Sequence, residues 1–197
     1  EPDFDHSEHH HLVPLRWPVI PLLVEIHEFP NWPPRLKAPT LAEILEAAMP
    51  SATGVDGISA PHPLHHALIL AAHAWRHEPL QTLRDLLDVA AMSVDQDSRE
   101  LERTADAWNV GRIWRSTKGA NDRLFSHGPR TPALRVWGRH LESVRERSGS
   151  EVHLQRLLSP WWGLPPRLAA LETLEGLKES AAPLSGAAAS RRQSATA

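Results

Sequence analysis

Pro63-Leu64-His65-His66-Ala67-Leu68-Ile69-Leu70-Ala71-Ala72-His73-Ala74-Trp75-Arg76-His77 is the stretch that decides the fold. Pro63 suits the first turn of a helix, because the N–H it lacks would have no partner there. Leu64, Leu68, Ala71, Ala72 and Trp75 recur at helical spacing, and Ala67, Leu70 and Ala74 widen the stripe. So broad an apolar surface predicts a well-buried helix reaching about His77. The remaining face is polar. His62, His66, His73 and His77 fall at i, i+4, i+11 and i+15, a narrow band at 100° per residue.

Outward from this helix, toward the C-terminus, the pattern stays helical. Pro79 predicts a second helix through Met92, with Leu80, Leu83, Leu87 and Ala91 facing inward. Asp97 or Ser98 caps a helix to about Trp108, and Gly111 to Phe125 reads as another. Ser126-His127-Gly128-Pro129 is a break. Thr131-Pro132 predicts a helix to about Arg147, and Glu151–Leu158 a short one. A Trp-rich turn over 160–166 and a last helix over 167–178 complete the series. Upstream, Thr40-Leu41-Ala42-Glu43 is a capping box for a helix to Met49. Residues 51–61, with Gly54, Asp56, Gly57 and Pro61, read as a loop.

The front of the chain differs. Leu22-Leu23-Val24-Glu25-Ile26-His27-Glu28-Phe29 reads as a strand that Pro30 ends. Alternation puts Leu23, Glu25 and His27 on one side of it. A strand needs neighbours for its backbone donors and acceptors. The front is therefore expected to be either loosely held or part of a sheet that has been cut away. Arg16-Trp17 and Val19-Ile20 read as a short extended piece, between prolines 14, 18 and 21 that forbid a long helix. The expected class is α+β, mostly α. A strand-containing segment over 1–39 precedes a multi-helix domain over 40–178. From 179 to 197 the chain is Ala, Ser, Gly and Arg with little to bury, which predicts a flexible tail.

Composition narrows the function classes. Net charge is −3 over 197 residues, without the basic balance of a broad nucleic-acid surface. Cysteine is absent, which excludes disulfides, thiolate metal sites and thiol catalysis, and fits a cytoplasmic protein. No apolar run has the length of a membrane span. Neither Gly-x-Gly-x-x-Gly, a phosphate-binding loop nor Gly-x-Ser-x-Gly occurs.

Several side chains are candidates for chemistry. Glu25 within an apolar strand is costly unless something answers it: a metal ion, a bound phosphate group, an arginine or solvent. His73 and His77 can bite one metal, although no His-Glu-x-x-His is present. A half-buried polar face bonded to loops explains the same histidines. Arg84 and Asp88 share a helix face, as an internal ion pair or with Arg84 as a phosphate holder. His9-His10-His11 is a metal-binding or merely polar loop. The eight tryptophans are unevenly spaced and read mainly as packing.

In order, these pieces resemble a known family, the uncharacterised nucleotidyltransferase-like proteins of bacteria related to the polymerase-β superfamily. The resemblance rests on His9-His10-His11-Leu12-Val13-Pro14-Leu15 and Val24-Glu25-Ile26-His27. It continues through Pro63-Leu64-His65-His66-Ala67-Leu68 to His73, and Leu83-Arg84-Asp85-Leu86-Leu87-Asp88-Val89. It implies a small catalytic sheet with a Gly-Ser helix start, an Asp-x-Asp pair and a third acid on a neighbouring strand. Such acids hold Mg²⁺, which bridges the triphosphate of an NTP for attack by an acceptor hydroxyl. On this resemblance Glu25 is the third acid, a metal ligand or general base, with His27 beside it. Arg84, His73 and Asp88 are substrate-binding residues. The chain would then hold a remnant of the small nucleotidyltransferase sheet followed by the helical domain.

This sequence departs from the family's pattern upstream. No Gly-Ser precedes the histidine cluster, and Asp3-Phe4-Asp5 only imitates the acid pair. Nineteen residues, 6 to 24, separate Asp5 from Glu25, and three prolines lie among them. Nucleotide transfer by this chain alone is therefore expected to be very slow or absent. Two rival readings are a non-catalytic helical binding module, and a metal-dependent helical phosphohydrolase using His66, His73, His77 and Asp88.

Overall fold

A computed structural model describes residues 15–16, 23–24, 26–27, 29–143 and 145–181, with backbone alone at 16, 23, 24 and 179–181. The fold is mostly helical, with a small antiparallel pairing near the N-terminus. β1 (Leu15–Arg16) pairs with β2 (Leu23–Val24) in the register Leu15 to Val24 and Arg16 to Leu23. The extended piece expected around Arg16 is thus the neighbour that the strand needs. A second hairpin joins β3 (Met49–Pro50) to β4 (Ser59–Ala60), where the sequence predicts loop throughout 51–61. Gly54 and Gly57, at φ +70° and +81°, supply the left-handed turns that close this hairpin.

The helices begin where side chains satisfy the free N–H groups. α1 (Leu41–Glu46) has the Thr40–Glu43 capping box, closed by bonds of 3.2 Å and 2.6 Å. It ends before Met49, which starts β3. α2 (Pro63–His77) has the predicted bounds, and the Leu64 N–H donates to His62 Nδ1. α3 (Leu83–Ser93) starts later than predicted. Leu80 takes φ +56° between the two helices, and Thr82 rather than a residue near Pro79 is the cap. That late start turns α3. Leu86 and Val89 are buried, while Leu83, Leu87 and Ala91 are exposed, so of the expected inward stripe only Leu80, ahead of the helix, is buried.

α4 (Ser98–Ala107) is capped by Asp97, which accepts from Arg99 N–H at 2.7 Å. α5 (Gly111–Ser126) ends on His127 at φ +56°, and Gly128 N–H returns to Asp122 C=O at 2.7 Å. α6 (Pro132–Val136) is much shorter than predicted. The chain breaks at Trp137-Gly138 into a 3₁₀ turn over Arg139–Glu142, because Trp137 dives into the core. α7 (Gly149–Gly163) has a Ser148–Glu151 capping box and continues through Pro160. The expected turn over 160–166 is therefore mostly helix. Pro160 sits in the last turn, and its carbonyl still accepts from Leu164 N–H at 2.8 Å. α8 (Pro166–Ala181) runs past the expected end at Lys178. Among the described residues no helix is long and apolar enough to cross a membrane.

α2 is the central element, packed most extensively against α3 and touching α4 and α5. α7 leans on α5 and α6 and pairs with α8. The main core gathers around Leu68, Ala72, Val89, Ile113 and Trp114. A second cluster surrounds Trp137, Leu134 and Leu80. Trp162 packs against both and meets the Trp137 ring edge-on at 5.2 Å. Trp32, Trp75, Trp108, Trp114 and Trp137 are buried, so most tryptophans do the packing expected of them. Trp161 is 41% exposed.

Candidate functional site

The polar face of α2 carries the candidate site. Helical spacing aligns His66, His73 and His77, and α3 packs alongside to half-bury His66 and His73. His77, in the last turn, is exposed. The His73 and His77 rings lie 4.6 Å apart at 60°. Asn31, on the chain entering from the N-terminal hairpin, bonds to His77 Nε2 at 3.0 Å. His27 comes from that same entering segment, and is close enough to His73 for their charges to repel.

Burial is the largest influence on the His73 imidazolium, and it lowers the pKa. Repulsion from His77 and His27 lowers it further, and Asp85 on α3 partly offsets them. His66 is also held below the usual histidine range by burial, with Asp88 opposing. The two inner imidazoles are therefore neutral at pH 7. A neutral ring can accept a proton, accept a hydrogen bond or ligate a metal, which an imidazolium cannot do.

His27 and His73, assigned separately from sequence, lie within electrostatic reach of each other across 46 residues of chain. Asp88 lies on the α3 flank and faces His66 rather than His73. Arg84 is exposed on α3. The internal Arg84–Asp88 ion pair that the i, i+4 spacing allows is not formed: neither residue has a salt bridge among the described residues. Both point outward because the buried side of α3 is Leu86 and Val89. Glu25 lies outside the described residues, as do His9, His10, His11, Asp3 and Asp5.

Two members of the site escape a sequence reading. Asp85 is the first-turn acid of α3, where Thr82 caps its N–H. A first-turn carboxylate reads locally as helix chemistry, which hides its second role beside His73. Asn31 lies in an irregular Pro-rich connection, and nothing local marks it as the partner of His77.

Among the described residues no three His, Asp or Glu converge to hold a metal ion. The carboxylates present, Asp85 and Asp88, each lie beside a histidine instead. They do not by themselves form the acid clamp that Mg²⁺ demands. The chain matches no protein-family model, no curated protein and no solved structure.

Proposed function

We propose that the chain is the C-terminal portion of a nucleotidyltransferase-like protein, which transfers a nucleotidyl group from an NTP to a hydroxyl acceptor. The observation that carries this reading is that His27 lies within electrostatic reach of His73, whose ring is 4.6 Å from that of His77, which in turn bonds to Asn31. The segment that follows β2 and the helical domain approach each other at the histidine face of α2, which supports the reading. The β1–β2 pair is read as a remnant of the catalytic sheet.

In this reading Glu25 is a metal ligand or general base, and sequence upstream of Glu1 supplies the remaining acids. Mg²⁺, once held by the full set, would neutralise the triphosphate charge. The chain's own contribution is positioning. Neutral His73 can accept a hydrogen bond from the acceptor hydroxyl, and His27 lies within its electrostatic reach. Arg84, exposed and unpaired among the described residues, can hold a phosphate with its planar fork. The chain alone is expected to bind nucleotide weakly and to transfer it very slowly or not at all.

Three outcomes separate this reading from its rivals. Weak Mg²⁺-dependent ATP binding that Glu25→Ala removes supports the transferase. Tight Zn²⁺, Mn²⁺ or Fe²⁺ binding lost in His73→Ala supports a phosphohydrolase and overturns it. Neither behaviour supports a non-catalytic helical module. Coding sequence upstream of Glu1 gives an independent check: a Gly-Ser and an Asp-x-Asp within about a hundred residues would supply the missing elements.

A further inference from the structure

A cleft of about 660 Å³ opens between the C-terminal end of α2, the turn at 33–35, α7 and α8. Small-molecule sites commonly measure about 300–1,000 Å³. Trp75, Pro160 and Leu164 give it apolar walls. Gln155 and Ser159, 5% and 6% exposed, also line it.

These two residues leave a hydrogen bond unmade. Gln155 Nε2 donates to Ser159 Oγ at 3.4 Å, and Gln155 Oε1 is buried with no partner. Exchanging the amide oxygen and nitrogen does not cure this. Ser159 would then donate to the oxygen, and the NH₂ would lose its acceptor. Pro160 has no N–H to give the Arg156 carbonyl, four residues back in α7. Both Arg156 and Pro160 line the cleft.

Charge on the lining is unevenly paired. The carboxylates of Glu172 and Glu175 are both engaged by Arg35. Arg76 and Arg156 are exposed and form no ion pair among the described residues. Two guanidinium groups with no ion pair among the described residues thus stand beside a pocket lined by Gln155, whose buried Oε1 has no donor.

We infer that this cleft binds a small oxyanion-bearing molecule that also carries hydroxyl donors. Arg76 and Arg156 take the phosphate or carboxylate, and Gln155 takes a hydroxyl. The site needs no metal and does not rest on the transferase reading.

The test is a ¹H–¹⁵N titration of the full chain with ribose 5-phosphate, with gluconate and with ribose. Ribose 5-phosphate or gluconate should shift the Gln155 side-chain amide and the Trp75 indole N–H. Whichever anion binds more tightly tells phosphate from carboxylate. Ribose should leave both signals in place. Arg76→Gln combined with Arg156→Gln should weaken binding roughly tenfold or more, and both sites are exposed, so the spectrum otherwise stays native. The inference is overturned if neither anion moves those signals at millimolar concentration. It is equally overturned if ribose moves them as much, or if the double variant binds unchanged.

Discussion

Replacing Glu151 by Gln should make the protein less stable at neutral pH and leave acid stability almost unchanged. Glu151 is 5% exposed at the start of α7. Arg145 grips it with two bonds of 2.8 Å and 2.5 Å, and the Ser148 N–H adds a third at 3.0 Å. The Arg145 hydrogen bonds are the largest influence, and against the opposing effect of burial they hold the carboxyl down at about 2. A carboxyl ordinarily near 4.5 and lowered to about 2 contributes roughly 3 kcal/mol. Arg145 is 37% exposed, so solvent screening trims that to about 2 kcal/mol. Gln still fits a capping box, so the loss isolates the charge. The sign follows from the lowered pKa. The stabilisation is full above the ordinary value near 4.5 and is lost as pH falls through about 2. Urea unfolding followed by circular dichroism at several pH values measures it. Wild type and Glu151→Gln should differ by about 2 kcal/mol at pH 7 and converge toward pH 2. A gap that is absent at pH 7, or that persists unchanged at pH 2, refutes the reasoning.

Gly163→Ala should cost about 1–3 kcal/mol by chemical denaturation, because a Cβ there overlaps the buried Trp75 indole. A neutral result would mean that α7 and α2 do not pack closely at this point. Leu68→Ala, at a fully buried site, should cost about 2–5 kcal/mol in the same assay. The His73 ring should titrate below the usual histidine range by NMR. His77→Gln should move its midpoint up, and Asp85→Asn should move it further down. Stability carried by His73 is present above its ordinary pKa near 6.5 and declines as pH falls below that value.

Helix chemistry is the most legible layer of the sequence. α2 has its predicted bounds because Pro63 and an uninterrupted apolar stripe both specify them. The caps at Thr40 and Asp97 are readable for the same local reason. Errors arise where tertiary packing overrides local signals. Pro79 looks like a helix start, but Leu80 is drawn into the core at positive φ, and the start passes to Thr82. Pro160 looks like a stop, yet a proline in a final turn removes only one helical hydrogen bond. The β3–β4 pair is two residues long on each side, too short to show alternation.

The histidine band of the site is readable from spacing on one helix. Its partners are not. Asn31 meets His77 across 46 residues, and no local period encodes such a meeting. Asp88 can be placed on its helix from sequence, but the lack of an ion pair with Arg84 cannot be read there, since i, i+4 spacing permits a bond without requiring one.

An NMR titration of the histidine rings with ATP, with and without Mg²⁺, tests the central claim most directly. The account predicts that His27 and His73 shift together only when Mg²⁺ is present, and that Glu25→Ala abolishes the effect. Shifts that ignore Mg²⁺, shifts that survive Glu25→Ala, or rings that never respond would contradict it.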